Sequence, residues 1–244
     1  MQLCVRSLHI ALAAFALALG EAWSEAATDP EIDRLLKKLP PPEKLVKREP
    51  RATTPSDPAL RDPLAAQIDE AVRAGKKKRT ADLARPLAAR YPSSAVAHAV
   101  HGFWVLERKR YAEASAAFRR ALALQPQVPL CHYLLAVSEY EQKRFHAALP
   151  HIRRVTQLEP RAPTGWIFLS VCAEAAGKPR ESLSAARRLT ALAPREAVAW
   201  LRLAKAEDAM GNRTAANNAM RRAIEIARAQ ASARPAAKPP KKSR

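Results

Sequence analysis

The sequence predicts an all-α chain, an α-solenoid of about five stacked helix-turn-helix units. Three observations predict it. Only six of the 244 residues are glycine, and helix formers such as alanine, leucine, arginine and glutamate dominate the central stretch. Pro92, Pro126, Pro160 and Pro194 stand 34 residues apart. Small residues keep the same interval: Gly102, Ala136, Ser170 and Ala204, then Ala114, Ala148, Ser182 and Ala216 twelve residues further on. Small side chains at fixed places let two helix axes approach closely.

Taken from the start, residues 1–26 carry one early cation, Arg6, and then an apolar core of about a dozen residues from Leu8 to Leu19. Gly20 and the small residues Ser24 and Ala26 follow, as at a signal-peptidase site. A bilayer-spanning helix needs roughly 20 apolar residues, so an export signal is expected rather than an anchor. Cys4 has no small-residue lipobox before it. Residues 27–60 are proline-rich and predict an extended linker, with at most a short helix around Glu31–Leu39.

The array is expected over residues 61–230, in units 61–94, 95–128, 129–162, 163–196 and 197–230. In each unit two helices of about 12 to 14 residues meet at a tight turn near Lys109, Lys143, Gly177 or Gly211, and the proline ends the second helix. Phe118 with Ala121, and Ile152 with Val155, give the second helices their apolar faces. The first unit is degenerate: Ile68 and Thr80 hold the small positions, and Pro86 falls inside its second helix, as in a terminal cap. Pro150 also lies within a second helix, near its start, where the lost hydrogen bond costs least. Residues 231–244 carry five basic residues and no acid, a disordered basic tail.

No glycine-rich phosphate loop, Cys-x-x-Cys pair, His-Glu-x-x-His motif or nucleophile elbow is present. The chain is expected to be no enzyme and to hold no metal or cofactor. His98, His101 and His132 are the one histidine cluster to weigh, but tryptophan at the equivalent place in later units (Trp166, Trp200) makes it a packing slot. Cys131 and Cys172 fall about seven residues apart when one unit is subtracted, roughly 10 Å along a helix, too far for a disulfide. Two separate buried thiols are expected.

The 34-residue pattern resembles the tetratricopeptide repeat over some 70% of the chain, roughly residues 61–230. The resemblance implies a right-handed superhelix whose first helices line a concave groove that holds a partner's peptide. The large aromatic expected early in the first helix is His98 and His132 in the earlier units. The groove face then comprises Val96, Ala99, Phe103 and Leu106; Leu130, Tyr133, Val137 and Tyr140; and Thr164, Ile167, Val171 and Glu174. It turns polar at Lys205 and Asp208. Members that clamp a C-terminal carboxylate place lysine and asparagine there; the apolar residues found here suit an apolar helix or strand of another protein instead. The alternative is that tight curvature buries them.

A second surface is the run of arginine pairs at the same interval: Arg119–Arg120, Arg153–Arg154, Arg187–Arg188 and Arg221–Arg222. Only Arg221 has a well-placed acid, Glu225 at i+4, so the ladder reads as four unpaired rungs, a stripe of positive potential. The formal net charge of +19 adds to the same sign. The ladder is either a solvated convex face or a stripe for an acidic envelope polymer, an anionic lipid or an acidic protein. Export would make nucleic acid a poor partner, and no aromatic platform accompanies the arginines. The expected function is a non-enzymatic scaffold of the cell envelope, periplasmic or secreted, that binds another protein. The alternative is a module that binds a polyanion or anionic membrane surface.

Overall fold

A computed structural model describes residues 57–232. The segments expected as export signal (1–26), short helix (31–39), linker up to residue 56 and tail from residue 233 lie outside the described residues, 57–232. Those residues form one short 3-10 helix, Pro58–Arg61, and ten α-helices. The helices are α1 Pro63–Arg73, α2 Lys77–Arg90, α3 Ala95–Leu106, α4 Tyr111–Leu124 and α5 Pro129–Glu141. They continue with α6 Phe145–Leu158, α7 Pro163–Ala175, α8 Pro179–Leu192, α9 Ala197–Ala209 and α10 Arg213–Ser232. Helices pair within each unit (α1 with α2 through α9 with α10), and each second helix packs on the first helix of the next unit. This is the stacked α-solenoid that the spacing predicts, with its degenerate first unit fully formed.

Local chemistry sets the helix ends. Asp62 caps α1 by accepting from the Leu64 N–H at 2.7 Å, and Pro63 opens the helix where its missing N–H costs nothing. The same carboxylate takes Arg90 at 2.7 Å and the Tyr91 hydroxyl at 3.0 Å, which ties the first unit's entry to its exit. These contacts, the Leu64 N–H first, hold the Asp62 carboxyl below its usual range. Ser94 caps α3 through the Ala97 N–H at 3.0 Å and donates to Asp57 at 2.7 Å, so residues 57–60 of the stretch read as linker are tied to the array.

The five intra-unit turns each place one residue in the left-handed region: Gly75, Lys109, Lys143, Gly177 and Gly211, with φ between 57° and 80°. They stand 34 residues apart, as the four expected turns require, and Gly75 extends the series into the first unit. Glycine adopts this conformation freely, while a side chain strains it, so the two lysines are the exceptions to explain.

The small positions are buried contacts between paired helices: Ala114, Ala136, Ala148 and Ser170 are fully buried. At Gly102 the approach is tightest, since a Cβ there would lie 2.9 Å from the Phe118 ring. Ser182 donates to the Ser170 carbonyl at 3.0 Å, which lets a polar pair occupy the tight seam of the fourth unit. One apolar core runs from Ala59 to Ala185, with a smaller cluster around Leu183, Ala186 and Ala206. Pro86 and Pro150 both sit within helices, exposed, without ending them.

Cys131 and Cys172 are free and buried, as expected. Burial pushes the Cys131 thiol up to about 12 and the Cys172 thiol also upward, so neither is a nucleophile near neutral pH.

Candidate functional site: the concave face and the basic surfaces

The histidine slot resolves first. Nε2 of His98 lies 3.0 Å from the Pro92 carbonyl, and Nε2 of His132 lies 3.0 Å from the Pro126 carbonyl. Trp166 and Trp200 make the same contact, to Pro160 at 3.0 Å and Pro194 at 2.9 Å. A ring N–H that reaches the carbonyl of the preceding unit's last proline is what the slot requires, and imidazole supplies it as well as indole. His132 also stacks on His151, with Nδ1 to Nδ1 at 3.3 Å. Among the described residues no group of three or more His, Cys, Asp or Glu gathers as a metal site.

The concave face differs from expectation in three places. Phe103 is 1% exposed, Leu106 4% and Val137 3%, so these three belong to the core. Phe103 is wedged edge-on against Trp104 with ring centroids 5.1 Å apart, in the tightest part of the stack. The groove face is therefore closed at these residues. Leu130, Tyr133, Tyr140, Ile167 and Val171 remain half-buried. Their centre is an aromatic cluster: Phe168 lies 5.3 Å from Tyr133 and 5.6 Å from Tyr140, and Tyr140 lies 5.0 Å from Phe145. Burial raises both phenol pKa values. Neither hydroxyl takes a hydrogen-bond partner among the described residues.

Beyond the aromatics the face becomes charged. Arg202 reaches Glu174 at 2.7 Å and the Ser170 hydroxyl at 3.0 Å, and Lys205 reaches Glu174 at 3.0 Å. Burial alone would raise the Glu174 carboxyl, but Arg202 and Lys205 outweigh it and hold the group below its usual range.

One arginine of each pair in the ladder is ion-paired, which corrects the reading of four unpaired rungs. Arg119 bonds Glu139, a fully buried carboxylate that also takes Arg144 at 2.7 Å. Arg153 makes a two-bond fork to Glu181 at 2.6 and 2.7 Å. Arg187 meets Glu207 at 2.9 Å, and Glu207 also accepts from Asn212 at 2.7 Å. Arg85, one interval before Arg119, meets Glu113 at 3.1 Å. The partner thus lies 28, 20, 28 and 20 residues ahead in turn, always in the next unit. Glu139 and Glu207 stand where the neighbouring units have Val105 and Ala173; Glu113 and Glu181 stand where they have Ala147 and Ala215. A search at i±3 and i±4 cannot find such pairs, because they cross from one unit to the next.

At the last rung Glu225 pairs with Arg222 at 3.0 Å rather than with Arg221. Arg154 hydrogen-bonds Gln157 at 3.2 Å, while Arg120 and Arg188 are exposed without an ion pair among the described residues. The first arginine of each inner doublet is therefore a brace between units, and the second faces solvent.

Geometry thus defines the class as a helical-repeat scaffold, with no catalytic constellation among the described residues. Tetratricopeptide repeat profiles match residues 105–163, 133–197 and 197–230, and the chain belongs to the tetratricopeptide repeat family, whose members are typically non-enzymatic scaffolds. By sequence, no curated protein matches significantly. Among solved structures, a MamA crystal structure superposes with a TM-score of 0.66 at 15% identity, covering 72% of this chain and 96% of that one. MamA from Desulfovibrio magneticus RS-1, residue 41 to its end, gives 0.65 at 16% identity, covering 72% and 98%. YrrB, described as a TPR protein with an unusual peptide-binding site, gives 0.62 at 21% identity, covering 67% and 84%. At these identities the likeness is one of fold.

Proposed function

We propose that this protein is an assembly scaffold of the cell envelope that holds an apolar segment of a partner protein on its concave face. The observation that carries the reading is the pair of half-buried rings Tyr133 and Tyr140 packed on the buried Phe168, their two phenol hydroxyls without a hydrogen-bond partner among the described residues. An apolar strip with free donors suits a peptide, whose side chains bury on the rings while its carbonyls accept from the hydroxyls. The peptide-binding site named for YrrB, on the same fold, is in keeping with this use. The envelope location rests on residues 1–26 alone, with their Arg6, apolar core and small-residue exit.

The test replaces half-buried residues at the groove margin rather than the tyrosines, whose rings pack between units. Thr164→Lys with Ile167→Lys places two long cations on the strip and lets their ends reach water. The double variant should keep the wild-type helical circular dichroism and lose a partner captured by wild type. Capture at wild-type level by a folded variant would remove the groove as the site.

A further inference from the structure

Unpaired positive charge is concentrated along one edge of the array. Because paired helices run antiparallel, all five intra-unit turns fall on one edge and the inter-unit turns on the other. The turn segments 74–78, 107–112, 142–146, 176–180 and 210–214 together hold eleven lysines and arginines against one acid, Glu107. On the opposite edge, segments 91–96, 125–130, 159–164 and 193–198 hold two cations and two acids. Four of the eleven cations are paired: Lys77 with Glu107, Arg108 with Asp82, Arg110 with Glu113 and Arg144 with Glu139. The other seven are exposed without an ion pair among the described residues; five are lysines, namely Lys76, Lys78, Lys109, Lys143 and Lys178.

Two of these lysines sit where the backbone disfavours them. Lys109 and Lys143 occupy the left-handed turn position that glycine holds in the other three units. Residues kept in a strained conformation against an available glycine point to a use for the side chain.

We infer that this edge is a docking ridge for an anionic lipid bilayer. Compact, flexible ammonium groups along a ridge suit a broad field of lipid phosphates, which needs no fixed geometry. A single-stranded nucleic acid would call for stacking rings beside the charges. The aromatics nearest the edge face inward instead: Phe145 packs on Tyr140, and Tyr111 packs on the core. Contact is electrostatic and peripheral. Among the described residues no helix is long and apolar enough to cross a membrane, and the one exposed large apolar residue there, Leu124, ends α4 on the opposite edge.

This inference is independent of the groove. Its test uses the full chain and reads the excess binding to vesicles with about one third phosphatidylglycerol over vesicles of phosphatidylcholine alone. The apolar stretch at residues 8–19 and the basic tail are common to all variants. The ridge variant carries glutamine at Lys76, Lys78, Lys109, Lys143 and Lys178; the comparison variant carries glutamine at Arg120, Arg154 and Arg188. Wild type should show an excess that collapses in high salt, the ridge variant should lose it by at least ~tenfold, and the ladder variant should stay within about twofold. A folded ridge variant with wild-type excess, or an equal loss in the ladder variant, would overturn the assignment. So would a wild type that binds polyphosphate or RNA but shows no excess on anionic vesicles.

Discussion

Replacing Lys143 by glycine should stabilise the protein, and the expected size can be worked from the turn. Lys143 has φ 62°, where a side chain costs about 1–2 kcal/mol relative to the right-handed regions. Glycine relieves that cost but brings back about 0.5–1 kcal/mol of unfolded-chain entropy. The net gain is about 0.5–1 kcal/mol. For a folded array of this size that shifts the melting temperature by about 2 °C. Lys109→Gly, at φ 57°, should add a similar amount because it sits in a separate turn. The reverse change is cleaner still. A Cβ at Gly177 would meet nothing within 4 Å, so Gly177→Ala measures backbone cost alone and should destabilise by about 1 kcal/mol. Thermal and urea melts followed by circular dichroism read all three. Lys143→Ala separates conformation from charge: it keeps the strain, removes the cation and should melt close to wild type. If alanine and glycine at position 143 stabilise equally, the effect is charge relief along the ridge and the backbone argument fails.

The remaining predictions concern the seams and the braces. Gly102→Ala puts a methyl 2.9 Å from the Phe118 ring and should cost about 1–3 kcal/mol, read as a lower urea midpoint. Glu139→Gln takes from a fully buried site the charge that Arg119 hydrogen-bonds and Arg144 pairs with. With both arginines about half exposed, the cost should be about 2 kcal/mol rather than the full buried-pair value; a change below about 0.5 kcal/mol would mean Glu139 is no brace. Acid should weaken the fold in two stages. His101 and His151 have lowered pKa values, chiefly through burial, so the stability of keeping them neutral is complete above their unfolded value of 6.5 and declines as pH falls below it. Glu181 and Glu207 are held low by Arg153 and Arg187, so their contribution is present above 4.5 and lost as pH falls through their folded values. Melting temperature against pH should fall in both windows, and His151→Gln should flatten the first.

The parts of this fold that follow a strict interval were readable in the sequence. The helix pairs, the places of the last four intra-unit turns and the close-packed Gly102, Ala136, Ser170 and Ala204 seam each depend on a position that recurs at one place per unit. The histidine slot was readable too, because tryptophan stands in the same place two units later. What escaped reading was relational. Glu139 and Glu207 sit on helix faces that look apolar, and their meaning comes from an arginine in the preceding unit. Phe103, Leu106 and Val137 hold the same face of their first helices as Tyr133 and Tyr140, yet the packing of the stack buries the first three and leaves the tyrosines half open. The concentration of charge at one edge required knowing that all intra-unit turns point the same way.

The central claim, partner binding on the concave face, is tested most directly by site-specific photocrosslinking in cells. A benzophenone amino acid would replace Thr164 at the groove margin in one variant and Arg120 on the outer face in another. A protein adduct from position 164, absent from position 120 and insensitive to salt in extracts, is the predicted result. An adduct from position 120 alone would place the partner on the arginine face and contradict the account.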